Sequence, residues 1–402
     1  MEYLLSDIFE KPISGEWGKD VDKGIKGFKV IRTTNFTNLG RLNLGNIVFR
    51  DIDKEKYENK QLKFGDIIIE KSGGSPTQPV GRTVIFEVTD NEIYFCNNFT
   101  SILRPNEKVN SKYALYLMMN LYNKRKVLKY QNKTTGIINL KLSDYIRSTK
   151  VDIPNVEIQK KIASVLDKAQ ELIDKRKEQI EVLDGLVKSR FIEMFRDPIN
   201  NTKKFDMKKI KEISIYLKRG VSPKYVEQSN IKVINQKCIY WRNLKVENCK
   251  YYDENLKEKI EDIFLKQNDI LINSTGTGTL GRCVKFNKID NSEYIADSHV
   301  TVLRSISNNL NSDYFAALFE FTNVQDTIYR KCVNGSTNQI ELSVSKLGEY
   351  LIMVPPIEFQ NQFSEFVKQV DKLKLKIETN LKELEDNFNS LMQKAFKGEL
   401  FN

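Results

Sequence analysis

Residues 156–197 read VEIQKKIASVLDKAQELIDKRKEQIEVLDGLVKSRFIEMFRD, and this run decides the fold because its pattern returns near the C-terminus. From Ile162, apolar residues fall at Val165, Leu166, Ala169, Leu172, Ile173, Ile180, Leu183, Leu186, Val187 and Met194. Spacings of three, four and seven trace one face of a helix. Adding 201 to these numbers recovers the stripe as Phe363, Phe366, Val367, Val370, Leu373, Leu381, Leu384, Phe388 and Ala395, with Lys374 opposite Ile173 and Asn387 opposite Leu186. Each run is about 40 residues, roughly 60 Å of helix, far longer than an ordinary globular helix. Two such helices, each with an apolar seam, are expected to form a coiled coil. The seam is assigned to Ile162, Val165, Ala169, Leu172, Ile180, Leu183 and Val187 on the first helix. Phe363, Phe366, Val370, Leu373, Leu381, Leu384 and Phe388 face them from the second. The chain between the helices leaves the end of one and returns to the start of the other. If it folds compactly, the pair is antiparallel.

The repeat extends beyond the helices. Phe28-Lys29-Val30-Ile31 resembles Ile231-Lys232-Val233-Ile234, and Gly65-Asp66-Ile67-Ile68-Ile69 resembles Asn268-Asp269-Ile270-Leu271-Ile272. A glycine-rich loop follows each, then Gly81-Arg82-Thr83-Val84-Ile85-Phe86 against Gly281-Arg282-Cys283-Val284-Lys285-Phe286. Pro154-Asn155-Val156-Glu157-Ile158-Gln159 matches Pro355-Pro356-Ile357-Glu358-Phe359-Gln360 at the helix starts. A period of about 200 residues is too long for a solenoid and marks a whole module used twice. The expected class is α+β: two mixed α/β domains in tandem, each followed by a long helix. The expected bounds are 1–154, 155–197, 198–355 and 356–402, with Pro198 and the asparagines after it stopping the first helix.

Lys plus Arg number 64 against 53 Asp plus Glu, a net charge of +11, which suits a polyanionic partner. The first seven residues show no basic segment before an apolar core, and no apolar run approaches a membrane span. Five scattered cysteines without a C-x-x-C pair fit a reduced, cytoplasmic setting with free thiols and argue against a zinc site.

Rival chemistries find little support. Gly276-Thr277-Gly278-Thr279-Leu280-Gly281 is a literal G-x-G-x-x-G after a strand, but a strand-like run follows instead of the helix a dinucleotide site needs. No phosphate loop of the G-x-x-x-x-G-K-[ST] type occurs. His299 is the single histidine, and its repeat mate is Phe99, so a structural role outweighs acid–base catalysis. No catalytic or metal constellation is read.

The two D-I-[IL]-I strands, the two G-R-x-V-x-F runs and the two P-x-x-E-x-Q helix starts resemble the specificity (S) subunit of type I restriction–modification systems. The helix ends Lys188-Ser189-Arg190-Phe191-Ile192-Glu193-Met194-Phe195 and Gln393-Lys394-Ala395-Phe396-Lys397-Gly398-Glu399-Leu400 also look typical of that family. The resemblance implies two target-recognition domains, each reading half of a split sequence in double-stranded DNA, with the helices as spacer. It implies a chain that is not itself an enzyme and holds no cofactor. Adenine methyltransferase subunits, two per chain, would carry S-adenosylmethionine, and restriction subunits join in many such systems. A coiled-coil scaffold with protein-binding ends is the alternative.

Candidate DNA contacts follow from residue type, since Lys and Arg neutralise phosphates while Asn, Gln and Arg can pair with base edges. The basic, aromatic-interleaved run from Tyr122 contributes Lys133, Thr134 and Thr135, and its counterpart contributes Ser336, Thr337, Asn338 and Gln339. The glycine-rich loops contribute Gln78, Arg82, Thr277 and Arg282, although both arginines are equally suited to ion pairs inside the fold. Arg32, Thr33, Thr34 and Asn35, with Asn235, Gln236 and Lys237, form a third pair of polar loops.

Overall fold

The strand Ile67–Glu70, three β-branched isoleucines and a glutamate, is buried at every position and forms the centre of a four-stranded antiparallel sheet. Its neighbours are Thr100–Leu103 and Thr83–Ile85, with Ile13–Ser14 at the far edge. A computed structural model of the chain describes residues 2–22, 27–75, 77–134, 137–198, 200–276, 278–306, 309–335 and 340–401. Contacts divide it into two units, Met1–Arg176 with Asn380–Asn402, and Lys177–Thr379.

In the first unit, Phe28–Ile31 runs parallel to Tyr94–Cys96 and antiparallel to Val48–Arg50. A third small sheet joins Gln131–Thr134, Ile137–Leu140 and Ser72–Gly73. The helix Ser111–Asn123 packs its buried face, including Tyr113, Leu117 and Leu121, on the central sheet. The second unit repeats this plan. Ile270–Asn273 lies between Val300–Ser305 and Cys283–Lys285, and Ile231–Ile234 runs parallel to Glu293–Ala296. Even the register is kept, with Lys29 beside Tyr94 and Lys232 beside Tyr294.

Buried ion pairs lock equivalent places. Arg104 forks onto Asp66 at 2.8 Å, and Arg304 onto Asp269 at 2.7 Å, each carboxylate being almost fully buried. In such a place the pair must stay together, because one partner alone would be an uncompensated buried charge.

The two long helices span Val156–Phe195 and Ile357–Ala395. Ile162, Leu166 and Ile173 share the first unit's core with Phe388, Met392 and Ala395. Leu183, Val187 and Phe191 share the second unit's core with Phe363, Val367 and Val370. The helix ends are anchored by aromatic contacts: Phe396 lies 5.3 Å from Tyr113, and Phe195 lies 4.8 Å from Tyr314.

Two seam assignments are corrected. Leu172 and Leu373 are about half exposed, at 52% and 48%. A step of about 100° separates neighbours on a helix, and Ile173, seven residues after Leu166, takes the inward direction instead. Ile377, seven after Val370, does the same on the second helix and leaves Leu373 outside.

The P-x-x-E-x-Q motif gains a physical meaning. Gln159 is fully buried; its Oε1 accepts from the Asn110 N–H at 2.8 Å, and its Nε2 donates to the Lys108 and Pro154 carbonyls at 3.0 and 2.9 Å. Gln360 makes the same three bonds to Asn311, Asn309 and Pro355, at 2.9, 3.2 and 2.7 Å. Each glutamine clamps the start of its long helix to the loop that caps the domain's own helix.

Candidate nucleic-acid interface

In the first unit the three polar loop groups meet around Arg82. Its Nε and Nη2 donate to Glu70 at 3.0 and 3.2 Å, and Nη2 also donates to the Thr33 carbonyl at 3.4 Å. Gln131, at the start of the basic hairpin, donates to the Val80 carbonyl at 3.1 Å. The hairpin itself pairs with the glycine-rich loop through Ile138 opposite Gly73. Gln78 donates to Asn38 at 3.3 Å, and both line a cleft of about 280 Å³ with Arg82, Tyr122 and Asn123. Lys133 and Thr134 lie on the strand Gln131–Thr134, paired with Ile138 and Ile137. Thr135 falls outside the described residues.

The second unit joins its loops through Thr275. Its hydroxyl donates to Gln236 Oε1 at 3.0 Å and lies 3.1 Å from His299 Nδ1. A backbone bridge ties Thr275 to Glu341 on the returning strand of the Val333–Asn334 hairpin. Lys237 is exposed, with no ion-pair partner among the described residues. Thr277 and Ser336, Thr337, Asn338 and Gln339 lie outside the described residues.

Asn35 and Asn235 correct the expectation of base contact. Asn35 is buried; its Oδ1 accepts from the Arg32 N–H at 2.9 Å and its Nδ2 donates to the Asn43 carbonyl at 2.9 Å. Asn235 accepts from the Lys237 N–H at 2.8 Å and donates to the Asn248 carbonyl at 3.0 Å. Both amides are spent on stapling a turn, a common use of asparagine. Arg32 is half-buried and donates to the Asn46 carbonyl at 3.0 Å. Arg82 likewise resolves as an internal ion pair.

His299 and its mate Phe99 are both exposed, at the turn beside each glycine-rich loop. The backbone of that turn is held by Asp297, whose carboxylate accepts from the His299 N–H at 2.9 Å. Burial pushes the Asp297 carboxyl above its ordinary range.

Sequence reading missed Glu70 and Asn273, which occupy the same strand position and decide how each loop arginine is held. The signal lay in the strand repeat itself, Ile67–Glu70 against Ile270–Asn273.

The profile of the family described as "Type I restriction modification DNA specificity domain" matches this chain twice, over residues 1–182 and 202–386. The type I restriction enzyme MjaVIII specificity subunit of Methanocaldococcus jannaschii is 28% identical over 289 residues, covering 67% of this chain and 66% of that protein. A second protein of that organism is 27% identical over 212 residues, 52% of this chain and 48% of its own length. The chain thus spans about half to two thirds of the length of these curated relatives. The crystal structure of a type I restriction-modification S subunit from M. genitalium superposes with a TM-score of 0.58 at 15% identity, covering 98% of this chain and 96% of that one. A chain from work on complex assembly and conformational transition of the type I R-M system gives 0.59 at 14% identity, covering 100% and 98%. At such identities the superpositions speak for the fold alone.

Proposed function

Since the chain belongs to the type I restriction modification DNA specificity family, we propose that it is the sequence-reading subunit of such a complex. Its two modules, taken as residues 1–154 and 198–355, each read one part of a split site in double-stranded DNA. One observation carries this reading. Among the described residues, polar loops meet in each unit on a repeated frame, yet their side chains differ: Arg82 with Glu70 in one, Gln236, Thr275 and Arg282 in the other. A pair of readers with shared frames and different loops suits two different half-sites, so the whole site is not a palindrome.

The long helices act as the spacer, pairing as an antiparallel coiled coil. Support comes from each unit separately: the early part of the first helix shares a core with the late part of the second, and the reverse holds in the other unit. Two adenine methyltransferase subunits, holding S-adenosylmethionine, and in some systems restriction subunits, are the proposed partners. The chain itself supplies recognition without catalysis, in the cytoplasm.

The test is selection of bound duplexes from a random pool by the full chain together with its methylating subunits. A two-part enriched motif is expected. Enrichment of no motif, with protein partners still retained, would favour a scaffold instead. Methyl transfer or DNA cleavage by the purified chain alone would overturn the non-catalytic role.

A further inference from the structure

Both glycine-rich loops end on an arginine, and the partners of that arginine differ between the modules. In the first, Glu70 is 3% exposed and receives the Arg82 fork, so the charge is matched within the fold. In the second, the same strand position carries Asn273. The backbone arrangement is kept: the Glu70 N–H donates to the Arg82 carbonyl at 2.9 Å, and the Asn273 N–H to the Arg282 carbonyl at 2.8 Å. The side chains are not. Asn273 Nδ2 lies 3.4 Å from the Gln236 carbonyl, the position taken in the first module by the Thr33 carbonyl that Arg82 reaches. Arg282 has therefore lost a carboxylate to substitution and a carbonyl to the substituted amide.

Among the described residues, what remains around Arg282 is apolar or unmatched. Its guanidinium lies over the Tyr240 ring at 5.4 Å. Its Nε and the Oδ1 of Asn273 are both buried without a hydrogen-bond partner among the described residues. An arginine stays charged at any physiological pH and carries five donors, so leaving its fork empty is unfavourable. The first module demonstrates that this frame can accommodate a carboxylate there. A charge left unmatched at such a place is available to a ligand.

We propose that Arg282 is a DNA-contacting residue of the second module, presenting its donor fork to a pair of acceptors on DNA, while Arg82 is a structural brace of the first. The inference rests on the DNA-reading role above. Paired acceptors of this geometry occur on the major-groove edge of guanine and on phosphate.

The experiment uses the full chain with its methylating subunits and a pool of duplexes with a randomised central region. Four proteins are compared: wild type, Asn273→Glu, Arg282→Gln and Arg282→Lys. Asn273→Glu installs the first module's carboxylate and is expected to fold with a melting temperature no lower than wild type. If Arg282 reads guanine, Asn273→Glu and Arg282→Gln both lose about 5- to 100-fold discrimination at one G·C pair in one half of the motif. Arg282→Lys then loses it too, and the other half is unchanged. If the acceptor is phosphate, the motif survives in Asn273→Glu and Arg282→Gln while affinity falls and the salt slope drops by about one. Arg282→Lys then keeps most of the affinity. Wild-type motif, affinity and salt slope in both Asn273→Glu and Arg282→Gln would overturn the proposal while leaving the DNA-reading role intact. A wild-type protein that enriches no motif would overturn both. Should Asn273→Glu not fold, Arg282→Gln decides alone, since it alters a partly exposed side chain.

Discussion

The glutamine clamp at the start of each long helix permits a quantitative test. Replacing Gln159 by Met keeps the volume nearly constant, so the cavity term is small and the polar term is isolated. Three hydrogen bonds are lost, to Asn110, Lys108 and Pro154. The site is fully buried, so water cannot replace them without opening the joint. An orphaned buried donor or acceptor costs about 1–3 kcal/mol, and carbonyls with a spare lone pair lie at the low end. The sum expected is about 3–4 kcal/mol, large against the usual net stability of a domain. Urea unfolding followed by circular dichroism measures the shift, with separate fits if the units melt in separate steps. Amide exchange at 108–113 supplies a local readout, because the Asn110 N–H loses its acceptor. Gln360→Met is expected to cost a similar amount, since its three bonds are the same in kind. A loss below about 1 kcal/mol with unchanged exchange would refute the clamp.

Glu320 sits 3.3 Å from Arg242, with burial as the largest influence, and its carboxyl is pushed up to about 7. A raised folded value means that this group's contribution is present below its unfolded value of 4.5 and is lost as the pH rises through 7. Glu320→Gln is therefore expected to gain stability over wild type as the pH goes from 5 to 8, by up to roughly 3 kcal/mol; equal melting shifts at both pH values would contradict it. Salt supplies a third prediction: with a net charge of +11, binding to DNA is expected to weaken steeply between low and physiological ionic strength, and a flat titration would argue against phosphate contacts. A fourth concerns the spacer. One heptad inserted after Gln179 and another after Asn380 lengthens the helices by about 10 Å, near three base pairs, so the unread spacer is expected to grow while the half-sites stay the same; an unchanged spacer would show that the helices are not the ruler.

Much of the frame was legible because its signals are periodic. The strands at 67 and 270, the helix stripes and the 200-residue repeat are all written in local alternation or in simple offsets. Individual side chains were harder to read. Asn35 and Asn235 are the residue types that read adenine, but the same amide staples a turn equally well, and only the position of the neighbouring carbonyl decides. Leu172 and Ile173 are adjacent apolar residues that cannot both face one partner, and the stripe alone does not choose between them. The fates of Arg82 and Arg282 depend on residues 70 and 273, across loops of different length, so equal G-R-x-V-x-F runs conceal unequal electrostatics.

That inequality bears on how such a protein can change its target. The places where the modules agree are costly to alter: the Arg104–Asp66 and Arg304–Asp269 forks are buried, and breaking one would strand a charge at about 3–5 kcal/mol. The Lys29–Asp90–Tyr94 cluster and its partner Lys232–Asp290–Tyr294 recur at the same parallel strand pair. The places where the modules differ are loop positions around Arg82 and Thr275, whose loss leaves those locks untouched. A single exchange there, Glu70 for Asn273, turns a self-matched arginine into an available one without moving the backbone bond beside it. On the proposed reading, recognition can therefore drift at the loops while the frame and its helix clamps remain the same.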